Sequence, residues 1–167
     1  MSLSIQPVTN SNWQVLARLK VREDQTHFVA PNVYSIAESH YGYDEPNGSG
    51  HWEMFPFGIY DGEIPVGFFM YGYNFSNRQF EAFIARLMVD QNYQGKGYGK
   101  FGMQKMLEIF RQDERIHCVG ISYEPDNDIA RKLYASLGFT ETGEMLEGEV
   151  LAVYIIDRPD KEKEPLG

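Results

Sequence analysis

The stretch Gln94-Gly95-Lys96-Gly97-Tyr98-Gly99-Lys100-Phe101-Gly102 (QGKGYGKFG) contains a literal G-x-G-x-x-G at Gly97, Gly99 and Gly102. In a dinucleotide-binding domain this pattern closes a tight turn directly after a strand and opens a helix, with an acidic residue some way downstream for the ribose. Part of that context is present. A β-like segment ends at Val89, helical spacing follows the loop, and Glu124 lies near the end of the next strand. Two features argue against it. Asp90 to Lys96 intervene between Val89 and Gly97, too long a lead-in for the tight turn, and the segments before the loop read as hairpins rather than parallel strands with crossovers. A P-loop would end G-K-[ST], and Gly95-Lys96-Gly97 does not. Glycines serving only a turn and close helix packing would explain Gly99 and Gly102 but leave Gly95 and Gly97 unexplained. What remains is a string of unencumbered backbone N–H donors at the positive end of a helix dipole, which suits a pyrophosphate.

Upstream of the loop, Phe55–Tyr60 and Val66–Tyr73 read as strands joined by a hairpin through Asp61-Gly62, and Phe80–Val89 follows a polar turn as a third strand. Leu3–Val8 alternates like a short opening strand. Asn10 or Asn12 then caps a helix with Trp13, Leu16 and Ala17 on one face, and Val33, Ile36, Ala37, His40 and Tyr41 mark a second helix. Gly42–Gly50 is expected to be a polar loop. Downstream, Gly99, Gly102, Met103, Met106, Leu107 and Phe110 recur at helical spacing. Cys118–Ser122 reads as a strand, Asn127–Leu137 as a helix ended by Gly138, and Phe139–Met145 with Glu149–Ile156 as a closing antiparallel pair.

The chain has 167 residues with 24 acidic and 15 basic side chains, a net charge of −9 that disfavours a nucleic-acid partner and attracts cations to any acidic cleft. One domain is expected over residues 1–158, followed by a charged tail, 159–167, expected to be disordered and without a role. No apolar run approaches the ~20 residues needed to span a bilayer, and the first residues have neither a basic nor an apolar signal region. A cytoplasmic protein without a membrane partner is the expectation. Cys118 is the single cysteine, so no intrachain disulfide forms, and its apolar surroundings predict a buried small hydrophobe rather than a reactive thiol.

Gln94-Gly95-Lys96-Gly97-Tyr98-Gly99 resembles the [RQ]-x-x-G-x-[GA] acetyl-CoA loop of the GNAT superfamily of N-acetyltransferases, and Arg86-Leu87-Met88-Val89 stands where that family has its splayed fourth strand. Asn127-Asp128-Ile129-Ala130-Arg131-Lys132-Leu133-Tyr134-Ala135-Ser136-Leu137-Gly138-Phe139 is similar to the family's N-x-x-A-x-x-x-Y-x-x-x-G-F segment. The resemblance implies an α/β (α+β) fold, a mixed and mostly antiparallel sheet of about seven strands flanked by about four helices. It also implies acetyl-CoA as the acyl-donor cosubstrate and no metal. The donor would be held by Leu87, Met88 and Val89, by Gln94, Gly95, Lys96, Gly97, Tyr98, Gly99 and Lys100, and by Asn127 and Ala130. Tyr134 would be the general acid that protonates the departing thiolate, and a backbone N–H near Val89 would polarise the thioester carbonyl. Independently of the family, Asn127, Ala130 and Tyr134 fall at i, i+3 and i+7, so the amide and the phenol share a helix face about 10 Å apart along the axis. Asn127 is equally well explained as a helix cap, and Tyr134 as a core aromatic.

The general base is where the sequence departs from its relatives. Related polyamine enzymes place a Glu four residues before the Val89 position, and here that residue is Ala85. Glu81, Glu53, Glu38 or a water chain remain as sources of the base. The segment Glu23 to Glu38 resembles the corresponding stretch of bacterial spermine/spermidine (diamine) N-acetyltransferases, with acids and aromatics interleaved. A polyamine needs spaced carboxylates for its ammonium groups and aromatic walls for its methylenes. Glu23, Tyr34, Glu38 and Glu53 are the candidate acceptor residues, with Asp24, Tyr41 and Trp52 near them. A protein or aminoglycoside acceptor, or a non-catalytic acyl-CoA-binding sensor, stays open, and exposed aromatics near the closing strands permit a homodimer.

Overall fold

The computed structural model describes residues 1–158, so the charged segment 159–167 lies outside the described residues. In chain order the elements are β1 (Leu3–Pro7), α1 (Trp13–Ala17), a 3-10 turn (Glu23–Gln25), α2 (Asn32–Tyr41), β2 (Tyr43–Asp44) and β3 (His51–Asp61). They continue with β4 (Ile64–Tyr73), β5 (Ala82–Val89), α3 (Tyr98–Gln112), β6 (Cys118–Tyr123), α4 (Asp128–Ser136), β7 (Thr140–Leu146) and β8 (Glu149–Ile155). Seven strands run β1-β3-β4-β5-β6-β8-β7 across one sheet, and the two-residue β2 pairs with β3 to make eight. Every pairing is antiparallel except β5 with β6.

Gly62, at φ 61, makes the turn between β3 and β4, and cross-strand rings then set the register: Phe57 stacks on Phe69 at 5.2 Å and Phe55 on Tyr71 at 5.4 Å. The sequence predicts β3 from Phe55, whereas it begins at His51. The added length of strand is fixed by Trp52, buried beside Phe80 and Phe83, and by β2, which forms inside the segment expected to be a loop. β5 starts at Ala82, two residues later than expected, because Asn77 Oδ1 accepts from the backbone N–H of both Gln79 and Phe80 and holds a turn there.

The two faces of the sheet carry separate cores. On one face Met103, Met106 and Phe110 of α3 are fully buried against Ile59, Phe69 and Ile84, joined by Ala130 and Tyr134 of α4. A Cβ on Gly102 would lie 2.7 Å from Ile59 Cδ1 and 3.3 Å from Leu87 Cδ1, so this glycine brings α3 close to the sheet. Gly99 has no such need, since its nearest neighbour would be at 3.7 Å. On the other face Leu16, Tyr60, Phe68, Met70 and Met88 form a cluster beneath α1 and α2.

Two irregularities position the site. β5 and β6 pair only through Ala82, Phe83 and Ile84 with Val119, Gly120 and Ile121, after which the sheet forks. A bulge between Met70 and Tyr71 leaves Ala85 of β5 without a partner, so Ala85 and Arg86 both turn to the α2 face while Leu87 returns to the α3 face. Among the described residues, no helix is long and apolar enough to cross a membrane, and no group of His, Cys, Asp and Glu is arranged to hold a metal.

Candidate active site

The fork opens a cleft of about 1180 Å³, lined on one side by Ala85 to Val89 of β5 and on the other by Ile121 to Glu124 at the end of β6. Asp90 N–H donates to Val66 O, so antiparallel alternation turns the N–H and C=O of Val89 away from β4 and into the fork. The Val89 carbonyl is taken by Gln94 Nε2 at 3.1 Å.

On the α3 face the cleft is backbone. Gly95 and Gly97 take φ 77 and 85, left-handed values that favour glycine, and a Cβ at either would meet nothing within 4 Å. Gly97 is the N-cap of the 15-residue α3, so a loop of N–H groups and the positive helix end both face open space. That arrangement fits an anionic pyrophosphate. Gln94, Gly95, Gly97, Tyr98 and Gly99 line the cleft, and Leu87, Met88 and Val89 line it from β5.

Several loop side chains do other work than expected. Gln94 Nε2 also donates to Gln25 Oε1 at 2.7 Å, so its amide ties the loop to β5 and to the 3-10 turn. Tyr98 is buried and its hydroxyl donates to Asp61 Oδ2 at 2.7 Å, a bond that lowers the Asp61 carboxyl and raises the phenol. Lys96 lies 5.6 Å from the Tyr93 ring, and both Lys96 and Lys100 are exposed outside the lining.

From α4, Asn127, Ala130 and Tyr134 all reach the cleft. Asn127 Oδ1 accepts from Ala130 N at 3.2 Å, so it serves as the helix cap while standing in the lining. Tyr134 is 8% exposed, with its ring 5.5 Å from Tyr123 and 6.1 Å from Phe139. Burial first, then the negative charge of Glu149, pushes its phenol far above the ordinary tyrosine range.

The α2 face is built of side chains. Arg86 Nη2 donates to Glu38 Oε2 at 3.0 Å, with the two side chains 22% and 19% exposed. The same guanidinium bonds Ser35 Oγ and the Ala85 carbonyl. Trp52 Nε1 donates to Glu45 Oε1 at 2.6 Å, and Trp52 packs with Phe80 and Phe83. Tyr34 and Tyr43 complete this wall, the Tyr43 phenol raised by burial and then by Glu147, Glu45 and Glu38. At the vertex of the fork Ser122 Oγ donates to Glu149 Oε2.

Besides Lys96 and Lys100, the expected Glu53, Glu23 and Glu81 are not brought here, nor are Asp24 and Tyr41. Glu53 alternates with the inward-facing Trp52 and points from the opposite face of β3. Glu23 is exposed on the 3-10 turn and lies outside the lining, although its neighbours Arg22 and Gln25 are in it. Glu81 Oε2 accepts the backbone N–H groups of His117 and Cys118, both at 3.0 Å, which secures the start of β6 away from the cleft. Cys118 is partly buried, and burial followed by Glu81 raises its thiol. Conversely, Gln25, Glu45, Arg86, Ser122 and Glu149 belong to the lining without having been singled out as binding or catalytic candidates. For Glu149 a signal existed, since it shares the period-two face of Leu151 and Val153.

Residues 17–139 match the model of the acetyltransferase (GNAT) family. Over 162 residues, 92% of this chain and 98% of the other, the sequence is 28% identical to a spermine/spermidine N(1)-acetyltransferase of Bacillus subtilis (strain 168). Among solved structures, an acetyltransferase from Thermus thermophilus superposes with a TM-score of 0.71 at 15% identity, covering 93% of this chain and 98% of that one. A spermidine N-acetyltransferase from Vibrio cholerae, solved with CoA and spermine, gives a TM-score of 0.68 at 14% identity, with 92% and 95% covered. At such identities the structural likeness is one of fold.

Proposed function

The chain belongs to the acetyltransferase (GNAT) family, and from that premise we propose that it transfers the acetyl group of acetyl-CoA to a primary amine of a polyamine such as spermidine or spermine. The observation that carries this reading is the fork: a backbone cradle for a pyrophosphate on one face and a wall of acids and aromatics on the other meet at one gap in the sheet.

In this reading the N–H groups of Gly95 to Gly99 and the start of α3 hold the pyrophosphate of acetyl-CoA. Val89 N–H, turned into the fork, polarises the thioester carbonyl, and Tyr134 protonates the sulfur as it leaves. The raised phenol suits that role, because it stays protonated until a thiolate is there to take the proton. The amine attacks directly in a ternary complex, and the raised thiol of Cys118 makes it a poor nucleophile for any covalent route. On the α2 face Tyr34, Tyr43, Trp52 and Phe83 offer apolar walls to methylenes, with Glu38, Glu45 and Glu147 spaced around them for ammonium groups.

The test is release of free CoA thiol with spermidine, spermine, an aminoglycoside and a lysine peptide as acceptors. Spermidine or spermine should give the highest kcat/KM. Preference for the aminoglycoside or the peptide would replace the acceptor class, and acetyl-CoA binding without turnover on any amine would replace the enzyme with an acyl-CoA sensor.

A further inference from the structure

Ser122 is the first β6 residue past the last β5–β6 pair, and Glu149 opens the neighbouring β8, so the hydrogen bond between them sits where the sheet parts. Both line the cleft. Along β6 Ser122 shares its face with Cys118 and Gly120, and along β8 Glu149 shares its face with Leu151 and Val153; this face packs with Trp52, Phe80 and Phe83. The pair therefore stands on the acceptor side, across the gap from α4 and Tyr134.

A primary alkylamine, like the lysine ammonium, ionises near ~10.4 and is protonated at neutral pH, so direct attack needs a group that takes its proton. The carboxylates expected to do this are committed elsewhere. Glu38 is held by Arg86, Glu81 accepts two backbone N–H groups outside the cleft, and Glu53 faces away. Glu45 is bonded to Trp52, and His27 pairs with the exposed Asp126 at 3.3 Å. Glu149 accepts from a neutral hydroxyl, and among the described residues no Lys, Arg or His forms an ion pair with it. Tyr134 from α4 feels its charge, and the other titratable and charged groups of the cleft are Tyr123 and Glu124 from the end of β6, Glu147 from the β7–β8 turn, Tyr43 and Glu45 from the β2 segment, Tyr34 and the Arg86–Glu38 pair, Tyr98 of α3, and Arg22 and His27 beside the 3-10 turn. Most of these are acids or phenols, a surrounding that draws an ammonium toward the carboxylate.

We propose that Glu149, oriented by Ser122, is the catalytic base that takes the proton of the acceptor ammonium. The inference rests on the acetyl-transfer reading above. An N–H bond of the ammonium breaks and an O–H bond forms on Glu149, which later passes this proton to water. The freed lone pair forms the C–N bond, the C–S bond breaks, and Tyr134 protonates the sulfur. The second proton shed by the nitrogen restores the Tyr134 phenol through solvent. Ammonium and thioester thus become amide, thiol and one released proton. Ser122 is a positioning residue, holding one carboxylate oxygen so that the other faces the amine.

With spermidine as acceptor, Glu149→Gln should lower kcat/KM about 10²–10³-fold at pH 7 while leaving acetyl-CoA affinity, read by calorimetry, unchanged. The deficit should shrink about tenfold per pH unit as the solution approaches the amine's own ionisation, because the amine then arrives deprotonated. Ser122→Ala should lose about five- to tenfold with the same pH trend. A Glu149→Gln loss that stays constant with pH, or no loss, overturns the proposal while leaving wild-type acetyl transfer standing. Absence of wild-type turnover on every amine overturns the acetyl-transfer reading and this proposal with it. Should the melting curve show Glu149→Gln to be unfolded, Ser122→Ala decides, and an unchanged pH 7 rate in that variant overturns the assignment.

Discussion

The two faces of the cleft are made in different ways. The α3 face is a local construction: a contiguous loop and the helix after it supply backbone N–H groups, with Tyr134 added from one turn of α4. The α2 face is assembled from side chains of α2, the β2 segment, β3, β5, β6 and β8, which meet only when the sheet is complete. A backbone cradle recognises what every acyl-CoA shares, whereas a wall of scattered side chains can be changed residue by residue. In the proposed reading, this division would separate a constant donor from a variable acceptor.

If the division is right, substitutions on the two faces should fail in different measurements. The largest effect is expected at Tyr134, where Phe keeps the packing with Tyr123 and Phe139 but removes the acid. Tyr134→Phe should lower kcat about 10²-fold or more with acetyl-CoA affinity unchanged within about twofold, as checked by steady-state kinetics beside calorimetry. In the wild type the phenol is raised, so activity that needs it protonated should persist through the ordinary tyrosine range near ~10 rather than falling there. An unchanged kcat in the variant would remove Tyr134 from the chemistry.

Next in size is Gly97→Val. A β-branched residue at φ 85 costs about 1–3 kcal/mol, and its side chain projects into the open cradle. Acetyl-CoA affinity should weaken about 10–100-fold by calorimetry, with a much smaller change in the acceptor KM once donor is saturating. Wild-type affinity would refute the loop as the pyrophosphate site. The smallest effect is expected from Arg86→Ala, which strips Glu38 of its cation and Ser35 of a donor. Because the pair is only about four-fifths buried, the cost is expected at about 2 kcal/mol, or roughly 4–8 °C in Tm by calorimetric scan. Its kinetic signature should be a change of severalfold in acceptor KM with donor affinity intact, and a loss confined to donor affinity would break the division between the faces.

The same division explains what was legible in the sequence. Gly95, Gly97, Asn127, Ala130 and Tyr134 reach the cleft lining through local geometry, a left-handed φ or a fixed helical offset, which is readable along the chain. The β3-β4-β5 meander, the β7–β8 hairpin and helix α3 are equally accessible, since hairpins and the 3.6-residue period are nearest-neighbour properties, whereas the pairings of β1 with β3, β5 with β6 and β6 with β8 are not. Glu53 and Glu81 misled for a common reason: chemistry was inferred from residue type while the face of the strand went unread. One step of alternation along β3 turns Glu53 away from Trp52, and Glu81 is consumed by the N–H groups of His117 and Cys118, 36 and 37 positions on. The bulge that carries Arg86 to Glu38 is invisible without the register of β4. Glu149 and Ser122 are 27 positions apart and meet only because β8 folds back beside β6.

The short parallel contact between β5 and β6 has a mechanical consequence. Three residue pairs join a four-stranded half, β1-β3-β4-β5, to a three-stranded half, β6-β8-β7, so the opening proposed to admit ligands is also the seam along which the sheet is least stitched. Helix α3 packs on β5, β4 and β1 of the first half, and beyond the three pairs the seam is held by side-chain packing and a few hydrogen bonds, Glu81 to the backbone of His117 and Cys118 and Arg111 of α3 to the Tyr154 hydroxyl of β8. A molecule bound across it acts as a brace, and by mass action a donor at a hundred times its Kd adds about 2.7 kcal/mol to the stability of the fold. Resistance to heat and proteolysis would then rise and fall with the supply of acyl donor, making the fold itself a gauge of the substrate it consumes.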